Sequence, residues 1–369
     1  MENLKDLKIA LVHDFLIYPG GAEKVLEVMA EMFPEAPIYT LIYDKELMKG
    51  CFQNRKIHAS FLQKFPKFLR KRKKWLLPFL PTAPETFDLR EFDLIISSSG
   101  AWSKGIVTRL NTIHVAYLHS PIRFAWSEHE EYLSQQKAWV PFKFISRLIM
   151  NYIRIWDKMA TDRPDYLIAN SKYTQARLKK YYNRDSEVIY PSVNIPKIEI
   201  SHKKRKEYFL IISRLSPYKK INMAVEAFNK LGWPLIIIGE GPEKKYLKKI
   251  AKKNVKILGW VSEKEKEKYY AGARAFIFPG VDDFGLAPVE AMVHGIPVLA
   301  LKKGGALEII IEGQTGEFFE AATPEIIADS VRRFVQEEQK YNPKVIRAKA
   351  EEFSRETFKN KLRLFLEKI

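Results

Sequence analysis

The sequence predicts an α/β protein built from two Rossmann-like domains in series, and three observations predict it. The chain has 369 residues, more than one ordinary core accommodates. Its start reads as an apolar strand, a Gly20-Gly21 turn and an amphipathic helix, the first unit of a nucleotide-fold domain. The same alternation of strand and helix restarts at Tyr208, after the basic stretch HKKRK at 202–206. The expected domains are therefore 1–195 and 196–351, joined by a linker at 196–206, with a last amphipathic helix over 352–369.

In the first half, KIALVH at 8–13 reads as a buried strand and 14–19 as a loop. The helix from Ala22 places Val25, Leu26, Met29, Met32 and Phe33 on one face. Gly20 and Gly21 let a ligand approach the backbone at that helix's N-terminus. The pattern is not GxGxxG, which argues against a dinucleotide site, and a plain tight turn is the competing reading. A second strand covers 38–42. The stretch from Ser60 to Leu80 carries seven basic residues between Lys64 and Lys74, with Phe61, Leu62, Phe65, Phe68, Leu69, Trp75, Leu76, Phe79 and Leu80 at helical spacing. Pro66 and Pro78 break it into short pieces. From Lys64 to Leu80 it reads either as a contact with an anionic membrane surface or as a cap on its own domain. Strands follow at 93–97 and 114–118, and the second delivers His119-Ser120-Pro121 at its carboxyl end, where open α/β sheets place ligands. Residues 166–170 form a strand, Ser171 caps the next helix, and 187–190 closes the half.

In the second half, YFLIIS at 208–213 is a strand ending in Arg214-Leu215-Ser216-Pro217-Tyr218-Lys219-Lys220. Arg214 and Lys219, five apart across a strand-to-helix turn, can converge on one diphosphate; a solvated basic loop is the alternative. Strands at 235–238 and 254–259 follow, and Ser262 with Glu265 forms a capping box. The stretch FIFPGVDDFGLAPVEAMVHG at 276–295 organises the half. It reads as a strand to Phe278, a loop carrying Asp282, Asp283 and Phe284, then Gly285 and a helix from Leu286 to His294, stopped by Gly295. Glu290 lies eight positions after Asp282. The free N–H groups of that first turn suit an oxygen-rich or anionic ligand, and the two acids can hold two ends of a polyhydroxy molecule. A strand at 297–301 leads to Lys302-Lys303-Gly304-Gly305, and Thr323-Pro324 opens another helix.

Composition narrows the function. Hydrophobic residues at 46% and aromatics at 13% exclude a disordered chain. No apolar run reaches the roughly 18–20 residues of a membrane-spanning helix. The start, MENLKDLKIALVHD, lacks a secretory signal pattern, and Cys51 is the single cysteine, so neither a disulfide framework nor a cysteine metal site is expected. A cytoplasmic protein, peripheral at the inner face of the cell membrane, is the expectation. The net charge of +18 calls for an anionic partner or a lysine-rich surface. No nucleic-acid-binding motif accompanies it, so nucleic acid is not expected.

PGGAEKV, HSPIRF, SRLSPYK, GEGP, the two acids and KKGGALE occur in one order along nearly the whole chain. In this the sequence resembles the retaining glycosyltransferases of family four, most of all the branch with O-antigen and polysaccharide mannosyltransferases. The resemblance implies the GT-B fold: two facing Rossmann-like domains, the site in the cleft between them, and a C-terminal helix crossing back to the first. It implies transfer of a hexose, with GDP-mannose the favoured donor, to a glycan or polyprenyl-diphosphate-linked acceptor, without a metal or other cofactor. It assigns the diphosphate to Arg214 and Lys219, with N–H groups at Gly20, Gly21, Gly304 and Gly305. Asp282 would hold the transferred sugar, helped by N–H groups from Asp283, Phe284, Gly285 and Leu286. Glu290 would accept from the ribose, and His119 would touch sugar and phosphate. The family usually begins its acid pair with Glu; Asp282 is one methylene shorter. A UDP-sugar transferase, a UDP-sugar 2-epimerase of the same fold and a non-catalytic sugar-nucleotide binder remain alternatives.

Overall fold

The computed structural model of the chain describes residues 4, 6–48, 50–52, 54–71, 73–127, 140–196 and 207–369. Arg72 and residues 197–206 of the expected linker lie outside the described residues, as do the side chains at 71, 73 and 74. Two compact units form: 1–190 with 358–369, and 191–357.

Parallel strands covered on both faces need near-continuous apolar runs. The strands β1 (Ile9–Leu16), β2 (Ile38–Tyr43), β3 (Ile57–Ala59), β4 (Leu94–Ser99), β5 (Ile113–Leu118), β6 (Tyr166–Ala169) and β7 (Glu187–Val188) form the first sheet. Its order is β3-β2-β1-β4-β5-β6-β7, with every pairing parallel. The second unit holds β8 (Phe209–Ile212), β9 (Leu235–Ile238), β10 (Val255–Gly259), β11 (Ala275–Phe278), β12 (Val298–Leu301) and β13 (Gly316–Phe319). They run in the order β10-β9-β8-β11-β12-β13, again all parallel. Each sheet reverses its winding once, at β1/β4 and at β8/β11. Such reversals open a crevice beyond the carboxyl ends of the strands, where ligands of open α/β sheets bind.

Two Rossmann-like units are what the sequence predicts, and most helix boundaries follow from its caps. Ser171 accepts from the N–H of Thr174 at the head of Lys172–Tyr182, and Ser262 and Glu265 form the reciprocal box at the head of Glu263–Gly272. Two elements differ from expectation. The first strand continues to Leu16 instead of giving way to a loop after His13, because the Asp14 carboxylate is satisfied in place. It accepts from the N–H groups of Gly100, Trp102 and Ser103 at 2.9, 3.0 and 2.6 Å. The second is a 22-residue helix, Val140–Thr161, which the sequence reading left unassigned.

The first unit's core joins β1, β4, β5 and the Gly21–Met32 helix. Leu11, Leu26, Met29, Ile96 and Tyr117 pack there with Phe358, Leu362 and Leu366 of the last helix, Arg355–Leu366. Burial of such side chains stabilises by about 1.5–3 kcal/mol each, so the chain's end is held firmly in this unit. A second cluster gathers Leu62, Leu76 and Leu80 with Trp102, Ile153, Trp156 and Ala160. The basic stretch therefore does cap its own unit, while Phe68, Trp75 and Phe79 stay exposed. Among the described residues no helix is long and apolar enough to cross a membrane.

One charged pair is sealed inside this unit. Lys104 Nζ meets Asp157 Oδ1 at 2.5 Å with both side chains at most 1% exposed. The other oxygen, Oδ2, accepts from Trp126 Nε1 at 2.7 Å and from the Tyr182 hydroxyl at 2.6 Å. Asp157 thus ties the segment following His119 to two helices. Removing one partner of a buried pair leaves the other charge uncompensated. Asp157→Leu is expected to lower the first unit's stability by about 3–5 kcal/mol, and Lys104→Met combined with it to recover much of that loss. Denaturant titration of the two variants checks this; equal losses in both would assign the cost to packing alone.

Candidate active site

In the second unit the sequence-predicted residues sit on the loops beyond β8, β11 and β12, at the reversal of the sheet. Backbone contacts at glycines bring these loops together. A Cβ at Gly280 would come within 2.6 Å of the Lys219 backbone. One at Gly304 would meet the Asp282 carbonyl oxygen at 2.5 Å, and one at Gly305 the Phe284 carbonyl oxygen at 2.2 Å. The N–H of Gly305 donates to that Asp282 carbonyl at 3.0 Å. On the other side of β8, Gly241 lies against Leu215, whose N–H donates to the Glu240 carbonyl. The GEGP turn, the SRLSPYK loop, the DDFG loop and the KKGG turn therefore form one continuous rim, in the order of the strands below them.

On this rim Lys219 pairs with both carboxylate oxygens of Asp282, the two side chains being 12% and 20% exposed. Two residues the sequence places 63 positions apart are thus in direct contact. The Arg214 side chain is exposed beside them in sequence, at the start of the same turn. Asp283 and Phe284 are buried, and Phe284 is held edge-on against Phe353 with centroids 5.3 Å apart. Gly285, at φ +105°, turns the chain into the helix Leu286–Val293. That conformation excludes most other residues and aims the first N–H groups of the helix out of the loop.

Glu290 lies on the third turn of this helix and accepts from the Tyr270 hydroxyl at 2.9 Å. Tyr270 is itself stacked on His294, whose Nδ1 lies 2.9 Å from the Glu290 carbonyl. Burial, then the carboxylate beside it, pushes the Tyr270 pKa well up, so the phenol remains a donor. Tyr270 thus fixes one Glu290 oxygen. The sequence reading missed it, although its tyrosine stands two turns into a recognisable capped helix.

In the first unit, His119 and Gly20 are linked through three residues that the sequence did not single out. Parallel register sets His13 of β1 beside Ser98 of β4. His119 Nε2 lies 2.8 Å from Ser98 Oγ, and Ser98 Oγ lies 3.2 Å from His13 Nδ1. His13 Nε2 lies 3.5 Å from Glu23 Oε1, and the other oxygen of Glu23 sits where a Cβ on Gly20 would come within 2.6 Å. Gly21 opens the helix that carries Glu23. The His119 carbonyl accepts from Asn170 Nδ2 at 2.9 Å, and the ring rests edge-on against Tyr117. Its orientation is fixed on three sides.

Burial, reinforced by His13, lowers the His119 pKa to about 4. Fully buried His114, bonded to Ser97 at 2.8 Å, is lowered by burial to about 3. Both rings are therefore neutral at pH 7 in the fold. Below about pH 6.5 they take protons in the unfolded chain but not in the native one. Their contribution to stability is complete above that pH and is lost as pH falls towards 4 and 3. The expected result is a first unit that weakens steadily from pH 6.5 to pH 4, with no imidazole titration of His119 between pH 5.5 and 8 by NMR. A His119 resonance with a midpoint near 6.5 would contradict this environment.

Among the described residues no group of three or more His, Cys, Asp or Glu side chains is placed to hold a metal ion. The arrangement offers instead two cations and helix N–H groups for an anion, a carboxylate beside them, and a second carboxylate held by a phenol.

Comparison with known proteins agrees with this arrangement. Residues 19–196 match the model described as Glycosyltransferase Family 4, and residues 195–352 match Glycosyl transferases group 1. An uncharacterised glycosyltransferase of Methanocaldococcus jannaschii is 26% identical over 50% of this chain and 54% of its own length. The human alpha-1,3/1,6-mannosyltransferase ALG2 is 26% identical over 61% of this chain and 64% of its own. The matched region thus spans between about half and two thirds of these relatives. Among solved structures, Anabaena HepE in complex with UDP and glucose superposes with a TM-score of 0.72. That match covers 98% of this chain and 100% of HepE at 21% identity, and shows the fold. A sucrose-phosphate synthase from Thermosynechococcus elongatus gives 0.71 at 15% identity. The two matched models lie end to end along the chain, and over both of them the chain belongs to the family four glycosyltransferases of the GT-B fold.

Proposed function

We propose that the protein is a retaining, metal-independent hexosyltransferase that moves mannose from GDP-mannose to a glycan or lipid-linked saccharide. The observation that carries this is the second unit's rim, where Lys219 and Asp282 are in contact and Arg214 stands at the same turn. Breaking a sugar–diphosphate bond puts negative charge on the leaving phosphate and positive charge on the sugar. Arg214 and Lys219, with N–H groups at Gly304 and Gly305, meet the first; the carboxylate of Asp282 meets the second. In a front-face reaction the acceptor hydroxyl attacks the anomeric carbon from the side the diphosphate leaves. Its proton passes to the departing phosphate oxygen, so no enzyme base and no covalent intermediate are needed. Asp282 orients the sugar hydroxyls while its partner Lys219 turns to the diphosphate. Asp283, Phe284, Gly285 and Leu286 present backbone N–H groups to the sugar, Glu290 accepts from the ribose, and His119, neutral, donates or accepts a hydrogen bond without repelling a cationic sugar. Gly20 and Gly21 add backbone N–H groups to the diphosphate.

The mannosyl reading is supported by the similarity to ALG2 mannosyltransferases of several organisms. A UDP-sugar donor is the second reading, favoured by the UDP and UDP-glucose complexes of HepE, the fold's structural neighbour. A non-catalytic binder is the third. For a membrane-linked acceptor, the proposed docking element is the stretch from Lys64 to Leu80. Its exposed Phe68, Trp75 and Phe79 stand among the basic residues, at a cytoplasmic membrane face.

Two measurements test the chemistry. Transfer from GDP-mannose and from UDP-sugars, followed side by side, should persist in EDTA; loss that Mg²⁺ or Mn²⁺ restores would overturn the metal-free mechanism. Asp282→Asn should lower kcat by roughly 10²–10³-fold, as for removal of one preorganised charge-stabilising group, while nucleoside diphosphate binds as well as before or better because Lys219 is released. Asp282→Glu should keep partial activity. Unchanged turnover in Asp282→Asn would remove this residue from the reaction, and absence of turnover with every donor tried would favour the binder.

A further inference from the structure

The helix Val140–Thr161 has two apolar faces, and only one of them is used inside its unit. Met150, Ile153, Trp156 and Ala160 point inward, and Ile153, Trp156 and Ala160 pack with Leu62, Leu76, Leu80 and Trp102. Outward stand Ile145, Leu148, Tyr152, Ile155 and Met159, between 50% and 62% exposed. Their spacing alternates three and four residues. At about 100° per residue they fall in one strip along the helix, about 21 Å long at about 1.5 Å per residue. Five large side chains so aligned are more than the scattered apolar residues any surface carries.

The charges beside the strip indicate what covers it. The helix holds Lys143, Arg147, Arg154 and Lys158 and a single acid, Asp157, which is completely buried against Lys104. On the same projection Arg147, Arg154 and Lys158 lie along one edge of the strip. A second copy of this helix would fit the three-four spacing, but would bring cation against cation along that edge, where paired helices carry opposite charges. An anionic lipid surface meets both features: apolar side chains enter the acyl boundary and the cations meet headgroups. Tyr152, with an apolar ring and a polar tip, suits that boundary.

We propose that the outward face of the Val140–Thr161 helix docks on an anionic lipid surface, with Ile145, Leu148, Tyr152, Ile155 and Met159 inserted and the basic edge against the headgroups. This extends the membrane part of the function proposed above to a second element. The two elements belong together: the helix's inner face packs on the very stretch that exposes Phe68, Trp75 and Phe79.

The test uses the full chain with vesicles of phosphatidylglycerol and phosphatidylcholine, and of phosphatidylcholine alone. Three proteins are compared: wild type, Leu148→Ser/Ile155→Ser/Met159→Ser, and Lys64→Gln/Lys67→Gln/Arg70→Gln. All substituted apolar side chains are exposed, and circular dichroism with thermal melting verifies the fold. Wild type should bind only the anionic vesicles, and the triple serine variant should bind about a hundredfold more weakly. Nucleoside diphosphate binding should be unaltered in that variant. Loss in the glutamine variant with full binding by the serine variant would overturn this inference and leave the earlier docking element standing. Loss in the serine variant alone would support the helix and remove that element. Wild type that ignores anionic vesicles at low salt would overturn both. A wild-type dimer by light scattering, absent in the serine variant and without vesicle binding, would assign the face to a second copy and overturn the lipid.

Discussion

The close approach of four loop backbones in the second unit is the constraint on which its candidate chemistry depends. The turns after β9, β8, β11 and β12 touch at Gly241, Gly280, Gly304 and Gly305, where any side chain would strike a neighbouring main chain. Backbone-to-backbone packing of this kind leaves the loops little freedom. It sets Lys219 against Asp282 although the two come from different strands. It also places the Gly304-Gly305 turn directly beside the DDFG loop. Ordinary side chains at those positions would force the loops apart by the width of at least a methyl group, and the ion pair would open. The electrostatics of the site are therefore a consequence of glycine placement as much as of the charged residues.

The first unit solves a similar problem with side chains. Its candidate residues are positioned by a buried polar chain running from Glu23 through His13 and Ser98 to His119. Parallel register between β1 and β4 is what makes the chain possible, because it aligns the ends of two strands 85 residues apart. A network buried this way holds a unique geometry only if its members are satisfied. Here the carboxylate of Asp14 and the amide of Asn170 complete the surrounding hydrogen bonds.

What could be read from the sequence follows a physical pattern. Turns announce themselves through glycine, proline and charge, so the rim of the second unit was legible nearly residue by residue, down to the helix start after Gly285. Contacts made by register were not. His13 and Ser98 look like unremarked members of two apolar strands, and Tyr270 looks like one face of a polar helix until Glu290 is brought beside it. Asp14 was assigned to a loop because a carboxylate is costly inside a strand; its three N–H donors come from a turn beyond the end of β4 and remove that cost. The Val140–Thr161 helix escaped for the opposite reason. With apolar residues on both sides it lacks the polar face by which periodicity is recognised.

The central claim is that Arg214 and Lys219 bind the diphosphate of a nucleotide sugar. Equilibrium titration of GDP and UDP into wild type and into Arg214→Ala/Lys219→Ala tests it most directly. Two charge-assisted hydrogen-bonding groups together should carry at least about a hundredfold in affinity. The double variant, folded by circular dichroism, is expected to bind the favoured nucleotide that much more weakly. A double variant that binds it as tightly as wild type would contradict the claim.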